Sequence, residues 1–167
     1  GHNDYDCLIS FSGGIDSTAG IMYALDKGLK VQPIWIGFGQ KNEESEIKVV
    51  KNICKSLGLK PLIIEINLNR FIDQTWTRWR MGIVPARNYL FASIAAQIAS
   101  QSSRRNVPIY ICAHKEEIYP ESTDKSRRFF NTSTLIFSKA YKKPINVTTP
   151  FYKITKPEII SYWERHW

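Results

Sequence analysis

Residues 12–18, Ser-Gly-Gly-Ile-Asp-Ser-Thr, constrain the fold more than any other part of the sequence. They follow a short apolar, β-prone run at 6–11 and precede a helical apolar pattern at 19–25. Two adjacent glycines let the backbone approach an anion closely, and the N–H groups of a helix N-terminus would point at it. The pattern predicts a strand, a pyrophosphate-binding loop and a helix. An ordinary turn ending in a helix cap would use the same residue types.

Strand and helix signals alternate along the rest of the chain. Strands are predicted at 6–11, 31–38, 60–66, 108–113 and 145–149, and helices at 19–25, 43–57, 88–100, 129–141 and from Pro157 onward. Such alternation predicts an α/β fold in which a five-stranded, mostly parallel sheet lies between two layers of helices, as in Rossmann-like proteins. Residues 1–167 are expected to form one domain. Residues 67–83 and 115–128 are predicted loops at the carboxyl edge of the sheet, where ligands bind in such folds.

Composition excludes several classes of protein. Hydrophobic residues make up 43% of the chain, which excludes a disordered protein, and the apolar runs are far shorter than a membrane span. No signal peptide is visible. The three cysteines, Cys7, Cys54 and Cys112, form no C-x-x-C pair, so we interpret them as core residues in a reducing cytoplasm.

Positive charge is concentrated in the late part of the chain. The net charge is +8, and residues 104–167 carry 12 Lys/Arg against 6 Asp/Glu. This excess suits a phosphate-bearing ligand, an acidic partner or nucleic acid. A solvated surface rich in lysine would explain most of these residues equally well.

A second candidate binding element precedes the helix predicted at 88–100. Residues 84–88 read Val-Pro-Ala-Arg-Asn. Pro85 fixes the entry of the chain, Asn88 can cap the first turn, and Arg87 offers a planar cation to a phosphate. Alone, the segment would also fit a capped helix that carries a surface arginine.

Together these motifs resemble the N-type ATP pyrophosphatases (PP-loop proteins), and among them most of all the 7-cyano-7-deazaguanine synthases of queuosine biosynthesis. Five segments match that family in order, over nearly the whole chain: 11–18, 38–41, 43–59, 84–91, and 149–151 with Lys156. The resemblance implies an adenine nucleotide alpha hydrolase-like fold. It also implies an enzyme that adenylates a substrate carboxylate with ATP, releases pyrophosphate and forms a C–N bond with ammonia.

The resemblance also assigns roles to individual residues. It implies ATP and Mg²⁺ as cofactors, with Asp16, Arg87 and Lys156 as catalytic residues; Asp16 would order the loop or reach the Mg²⁺. The residues expected to bind ATP are Ser10, Phe11, Ser12, Gly13, Gly14, Ile15, Asp16, Ser17, Thr18, Gln40, Arg87 and Asn88. No side chain is assigned as the ligand of a resident metal site. His114, which follows the fourth strand, is interpreted as a structural residue.

The sequence departs from the family at two places. The family carries Tyr-Pro-Asp-Cys-Arg after the fourth strand, whereas here Tyr119-Pro120 is followed by Glu-Ser-Thr-Asp-Lys-Ser-Arg. The family also has a late four-cysteine zinc site, and no cysteine follows Cys112 here, so no zinc is expected. Either the chain is a truncated piece, which the apolar Trp163 and Trp167 slightly favour, or it is a divergent relative that acts on another substrate.

Two other functions stay open. One is a tRNA-modifying ATP pyrophosphatase, which the basic late segment supports and the lack of a reactive cysteine pair opposes. The other is a non-catalytic nucleotide-binding module of a larger assembly. We expect ATP and a purine-like acid as small-molecule ligands and no membrane association. Nucleic acid binding is not favoured, and a homodimer is left open.

Overall fold

The structure, a computed structural model, describes residues 4–39, 42–66, 87–119 and 123–167. Its strands are β1 (Cys7–Ser10), β2 (Val31–Gly37), β3 (Leu62–Glu65), β4 (Ile109–Tyr110) and β5 (Val147–Thr148). Its helices are α1 (Ile15–Asp26), α2 (Glu43–Ser56), α3 (Arg87–Ser100), α4 (Lys115–Ile118), α5 (Arg127–Tyr141) and α6 (Lys156–His166).

The five strands form one sheet in the order β3-β2-β1-β4-β5, and every neighbouring pair is parallel. Leu8 of β1 aligns with Gln32 of β2 on one side and with Ile109 of β4 on the other. The chain moves outward from β1 to β3 and then returns to the other side of β1. The order therefore reverses between β1 and β4, which is where ligands bind in open α/β sheets.

Apolar side chains cover both faces of the sheet. One face packs Leu8, Ile34 and Ile109 against α3 and α5, through residues such as Phe91 and Phe129. The opposite face packs Cys7, Ile9, Phe11 and Trp35 against α1 and α2. A smaller cluster, Ala19 with Phe151 and Ile159, joins α6 to α1. Because successive side chains of β1 point to opposite faces of the sheet, this strand contributes to both cores. The predicted three-layer α/β architecture is confirmed.

The ends of the helices follow local capping rules. Thr155 caps α6 by accepting a hydrogen bond from the backbone N–H of Glu158, whose side chain reaches back to Thr155, and Pro157 lies in the first turn. Ser126 caps α5 in the same way, at 3.1 Å from the N–H of Phe129. These caps set where two late helices begin.

The structure corrects part of the predicted layout. Residues 115–128 were expected to be a loop, but they contain all of α4 and the start of α5. The backbone N–H of His114 donates to the Glu117 carboxylate at 3.3 Å, which favours a helical turn in that segment. β4 and β5 are two-residue strands, shorter than predicted. Beyond them the backbone bonds locally: the N–H of Ala113 donates to the Ile111 carbonyl, and the N–H of Phe151 donates to the Thr149 hydroxyl. The loop predicted at 67–83 lies outside the described residues.

A search of the described residues for membrane-spanning helices found none of sufficient length and apolar character.

Candidate active site

The loop between β1 and α1 depends on glycine at position 13. Gly13 has φ +85°, and a Cβ placed there would lie 2.8 Å from Cγ1 of Val49 on α2. The left-handed conformation and the contact both exclude a side chain. Gly14 follows as the N-cap of α1 in an extended conformation, so the loop turns tightly into the helix.

The hydroxyl groups of the loop divide into two sets. Thr18 is buried, and its hydroxyl donates to the Gly14 carbonyl at 2.7 Å. The Ser17 hydroxyl lies 3.4 Å from both the Gly14 carbonyl and the backbone N of Ser12. Thr18 and Gly13 thus shape the loop from behind, whereas Ser12, Gly14 and Ser17 line the adjacent cavity.

An ion pair ties the loop to the start of α6. Lys156 Nζ lies 2.5 Å from Asp16 Oδ1, and both side chains are partly exposed. Asp16 is in the first turn of α1 and Lys156 is the first residue of α6, 140 positions later. Two of the three predicted catalytic residues, Asp16 and Lys156, are therefore in direct contact.

The start of α3 is fixed by Asp124. The Asp124 carboxylate accepts from the backbone N–H of Asn88 at 3.0 Å, and its carbonyl accepts from the Asn88 side-chain amide at 3.1 Å. Asn88 is buried, and these two bonds give its backbone N–H and its side-chain amide the partners that buried polar groups need. This contact holds Arg87, the first residue of α3, at the wall of the cavity.

These elements enclose a cavity of about 340 Å³ at the carboxyl edge of β1, β2 and β4. Ten of the predicted site residues line it: Ser10, Phe11, Ser12, Gly14, Ile15, Asp16, Ser17, Arg87, Asn88 and Lys156. Gly13 and Thr18 belong to the loop but are not among the lining residues, and Gln40 is outside the described residues. The sequence-based interpretation missed the other lining residues, Ile34, Trp35, Ile36, Phe38, Glu46, Phe91, Ile111, Cys112 and Lys125.

A cluster of titratable groups adjoins the loop. One carboxylate oxygen each of Asp16 and Glu117 and one ring nitrogen of His114 lie within 4.8 Å of one another. His114 uses both ring nitrogens, with Nδ1 at 2.6 Å from Glu116 and Nε2 at 3.1 Å from Glu117. Glu117 also binds Lys125 Nζ at 2.8 Å. Sequence spacing gave no sign of this cluster, because Asp16 is about a hundred residues from the other two.

The environment keeps Glu117 ionised. Burial acts to raise the pKa of its carboxyl group, but the hydrogen bond and charge of Lys125, together with His114, outweigh burial and lower that pKa below its ordinary value. Two carboxylates with oxygens within 4.8 Å of each other are suited to a hard divalent cation such as Mg²⁺, which prefers oxygen ligands. Asp16 and Glu117 therefore fit a magnesium ion.

The cysteines are unsuited to thiolate chemistry. Burial raises the pKa of Cys7 to about 12 and that of Cys54 to about 11. Cys112 borders the cavity, but burial and the Asp16 charge raise its pKa further still. The interpretation as core cysteines agrees with the burial of Cys7 and Cys54, whereas Cys112 is only partly buried. The absence of zinc remains a prediction.

Comparisons with known proteins identify the family. Residues 6–165 match the model of the family described as queuosine biosynthesis protein QueC. A 7-cyano-7-deazaguanine synthase from Bacillus subtilis is 28% identical over 163 residues, which cover 90% of this chain and 73% of the relative.

Solved structures share the fold at lower identity. NMN synthetase from Francisella tularensis superposes with a TM-score of 0.67 at 15% identity, over 98% of this chain and 63% of that one. An NH3-dependent NAD synthetase from Campylobacter jejuni gives 0.60 at 19% identity, over 97% and 64% of the two chains. Since the family model spans nearly the whole sequence, the chain belongs to the QueC family of queuosine biosynthesis proteins.

Proposed function

We propose that this chain is an ATP-dependent synthase that adenylates a 7-deazaguanine-type carboxylic acid, releases pyrophosphate and lets ammonia displace AMP. The convergence of the loop, Arg87 and Lys156 on one cavity is the observation that carries this proposal. Membership of the QueC family and the similarity to a 7-cyano-7-deazaguanine synthase support the substrate class.

The phosphate end of ATP would lie on the loop. The first backbone N–H groups of α1 have no partner within the helix and belong to residues that line the cavity together with Ser12, which suits an anion. Lys156 and Arg87 supply positive charge where pyrophosphate develops as the leaving group. A carboxylate oxygen of the acid attacks the α-phosphorus, an O–P bond forms, and the bond to the β-phosphate breaks.

Mg²⁺ would be held by Asp16 and Glu117 and would neutralise charge on the phosphate oxygens. The residues of the chain then have two tasks, which are to position the reactants and to compensate charge. No thiol nucleophile is needed for this route, and the raised pKa values of the cysteines oppose thiol-based tRNA modification. We expect the protein to act in the cytoplasm.

Pyrophosphate release tests the proposal. Purified protein is incubated with Mg²⁺ and ATP, with or without the 7-deazaguanine carboxylic acid and ammonium, and separately with tRNA. We expect release that depends on the acid, and a loss of about tenfold or more in Asp16→Asn, since a charge contact made in the transition state is removed.

The exposed carboxylate Glu164 provides the matched control, because Glu164→Gln makes the same chemical change far from the loop. Release that requires tRNA instead of the acid would replace this proposal with tRNA modification. ATP binding without release under any condition would indicate a non-catalytic module.

A further inference from the structure

Lys125 is a cation at the cavity that the proposed phosphate chemistry does not use. It lies in the segment 123–126, between α4 and α5, where this sequence departs from the Tyr-Pro-Asp-Cys-Arg pattern of its family. Its side chain lines the same cavity as the loop and is about one-third exposed. A ligand that binds this ammonium group would therefore lie in that cavity.

Two contacts hold Lys125 in place. Its neighbour Asp124 is bound to Asn88 through both its carboxylate and its carbonyl, so residues 124–125 are fixed to the start of α3. From α4, Glu117 binds the ammonium group at 2.8 Å. In the chain, Arg87 directly precedes Asn88 and Lys125 directly follows Asp124. Both Arg87 and Lys125 line the cavity. Arg87 at the start of α3 and Lys125 in the segment bound to it are therefore both cations of this cavity.

The third cation that lines the cavity is Lys156. Lys156 is paired with Asp16 at the start of α1, on the loop side. The cavity is also lined by apolar side chains of β2 and α3, among them Ile34, Ile36 and Phe91. A flat ring would find an apolar surface there, and an anionic substituent on the ring would have the Lys125 ammonium group as a partner in the same cavity.

We propose that Lys125 binds the carboxylate of the second substrate, and that Asp124 is the residue that positions it. The inference rests on the proposed function and adds to it the group that recognises the acid. An ammonium makes a point contact with one carboxylate oxygen, which leaves the other oxygen free to attack the α-phosphorus. Arg87, with its planar fork, is the better partner for phosphate.

Calorimetry separates the two ligands. The 7-deazaguanine carboxylic acid is titrated into protein saturated with α,β-methylene-ATP and Mg²⁺, and the nucleotide analogue is titrated separately. For Lys125→Met we expect acid affinity to fall about ten- to a hundredfold, as for loss of a charge-assisted hydrogen bond. Affinity for the analogue should stay within about threefold, and Lys125→Arg should recover most of the acid binding. Lys139→Met, on the exposed face of α5, is the matched control and should equal wild type.

Asp124 requires a different comparison, because it acts through its neighbours. Asp124→Asn keeps an oxygen that accepts from the Asn88 N–H, whereas Asp124→Ala removes it. We expect Asp124→Ala to raise KM for the acid more than it lowers kcat, and Asp124→Asn to restore much of the loss. A purely structural role would lower the melting temperature of both variants without raising KM for the acid more than it lowers kcat.

Each other outcome overturns the inference. Unchanged acid affinity in Lys125→Met refutes it while leaving the proposed function intact, and an equal loss of nucleotide affinity assigns Lys125 to phosphate instead. A wild-type protein that binds the analogue but not the acid refutes both the inference and the proposed substrate. If Lys125→Met fails to fold, Lys125→Gln removes the charge, keeps a donor for Glu117 and carries the same expectation.

Discussion

Replacing Gly13 by alanine should destabilise the fold through two separable effects. The positive φ of +85° costs about 1–2 kcal/mol for a residue with a Cβ. Alanine also reduces the backbone freedom of the unfolded chain, which offsets this cost by roughly 0.4–1 kcal/mol. The new Cβ would also lie 2.8 Å from Cγ1 of Val49, a β-branched side chain with little rotational freedom in a helix. Such overpacking adds about 1–3 kcal/mol, so we expect a total of roughly 2–4 kcal/mol.

Two further variants isolate these effects. Gly28 has φ +74°, and a Cβ added to it would have nothing within 4 Å, so Gly28→Ala reports the backbone cost alone, about 0.5–1.5 kcal/mol. Val49 is 44% exposed, and Val49→Ala alone should cost less than about 1 kcal/mol. In the double variant Gly13→Ala with Val49→Ala the steric part should disappear, which leaves a cost close to the sum of the Gly28→Ala and Val49→Ala costs.

Urea unfolding, followed by far-ultraviolet circular dichroism at 25 °C, measures all four free energies of unfolding. The reasoning is refuted if Gly13→Ala costs no more than Gly28→Ala, since the contact with Val49 would then have no effect. It is also refuted if adding Val49→Ala to Gly13→Ala recovers none of the free energy of unfolding that Gly13→Ala loses. Parallel m-values across the series are needed, because a change in slope would mean that the unfolded state had changed.

Three other expectations concern the cavity and the core. Arg87→Lys should weaken ATP binding about tenfold in calorimetry, because a point charge replaces a two-pronged donor, whereas Arg105→Lys on the exposed surface should have no effect. Gly20→Ala should lower stability by about 1–2 kcal/mol in thermal melts despite its better helix propensity, since its Cβ would lie 2.4 Å from Cys112 Sγ. Adding Cys112→Ala should recover part of that loss, and no recovery would argue against the contact. Metal analysis should find no stoichiometric zinc, and one zinc per chain would contradict the interpretation of the cysteines as core residues.

The parts of the fold that local sequence controls could be predicted. The loop at 12–18 needs only residues that are adjacent in the chain, and the apolar periodicity of α2 or α5 is read within one segment. The parallel sheet followed from the alternation of elements, because parallel strands require crossover connections. The ends of β4 and β5 could not be predicted, since an apolar run does not reveal where strand pairing stops.

The parts of the site that depend on distant contacts were missed. Asp124 reaches Asn88 across 36 positions, and Glu117 meets Asp16 across about a hundred. His114 was interpreted as structural because a single histidine carries no spacing signal, yet it lies among three carboxylates. Lys156 was found through the family resemblance, not through any local pattern. A single sequence shows which residues follow one another but not which strand ends converge.

The charges of the site suggest why cation and nucleotide should enter together. Asp16 and Glu117, the two carboxylates suited to Mg²⁺, are paired here with Lys156 and Lys125. A divalent cation bound to both carboxylates would compete with both ammonium groups, and these would then face the cavity without an anionic partner. Phosphate and carboxylate groups of incoming ligands supply such partners. Mg²⁺ alone would leave the two ammonium groups without anionic partners, so we expect it to bind weakly. The complex of Mg²⁺ with ATP brings phosphate groups that replace those partners, so we expect it to bind strongly.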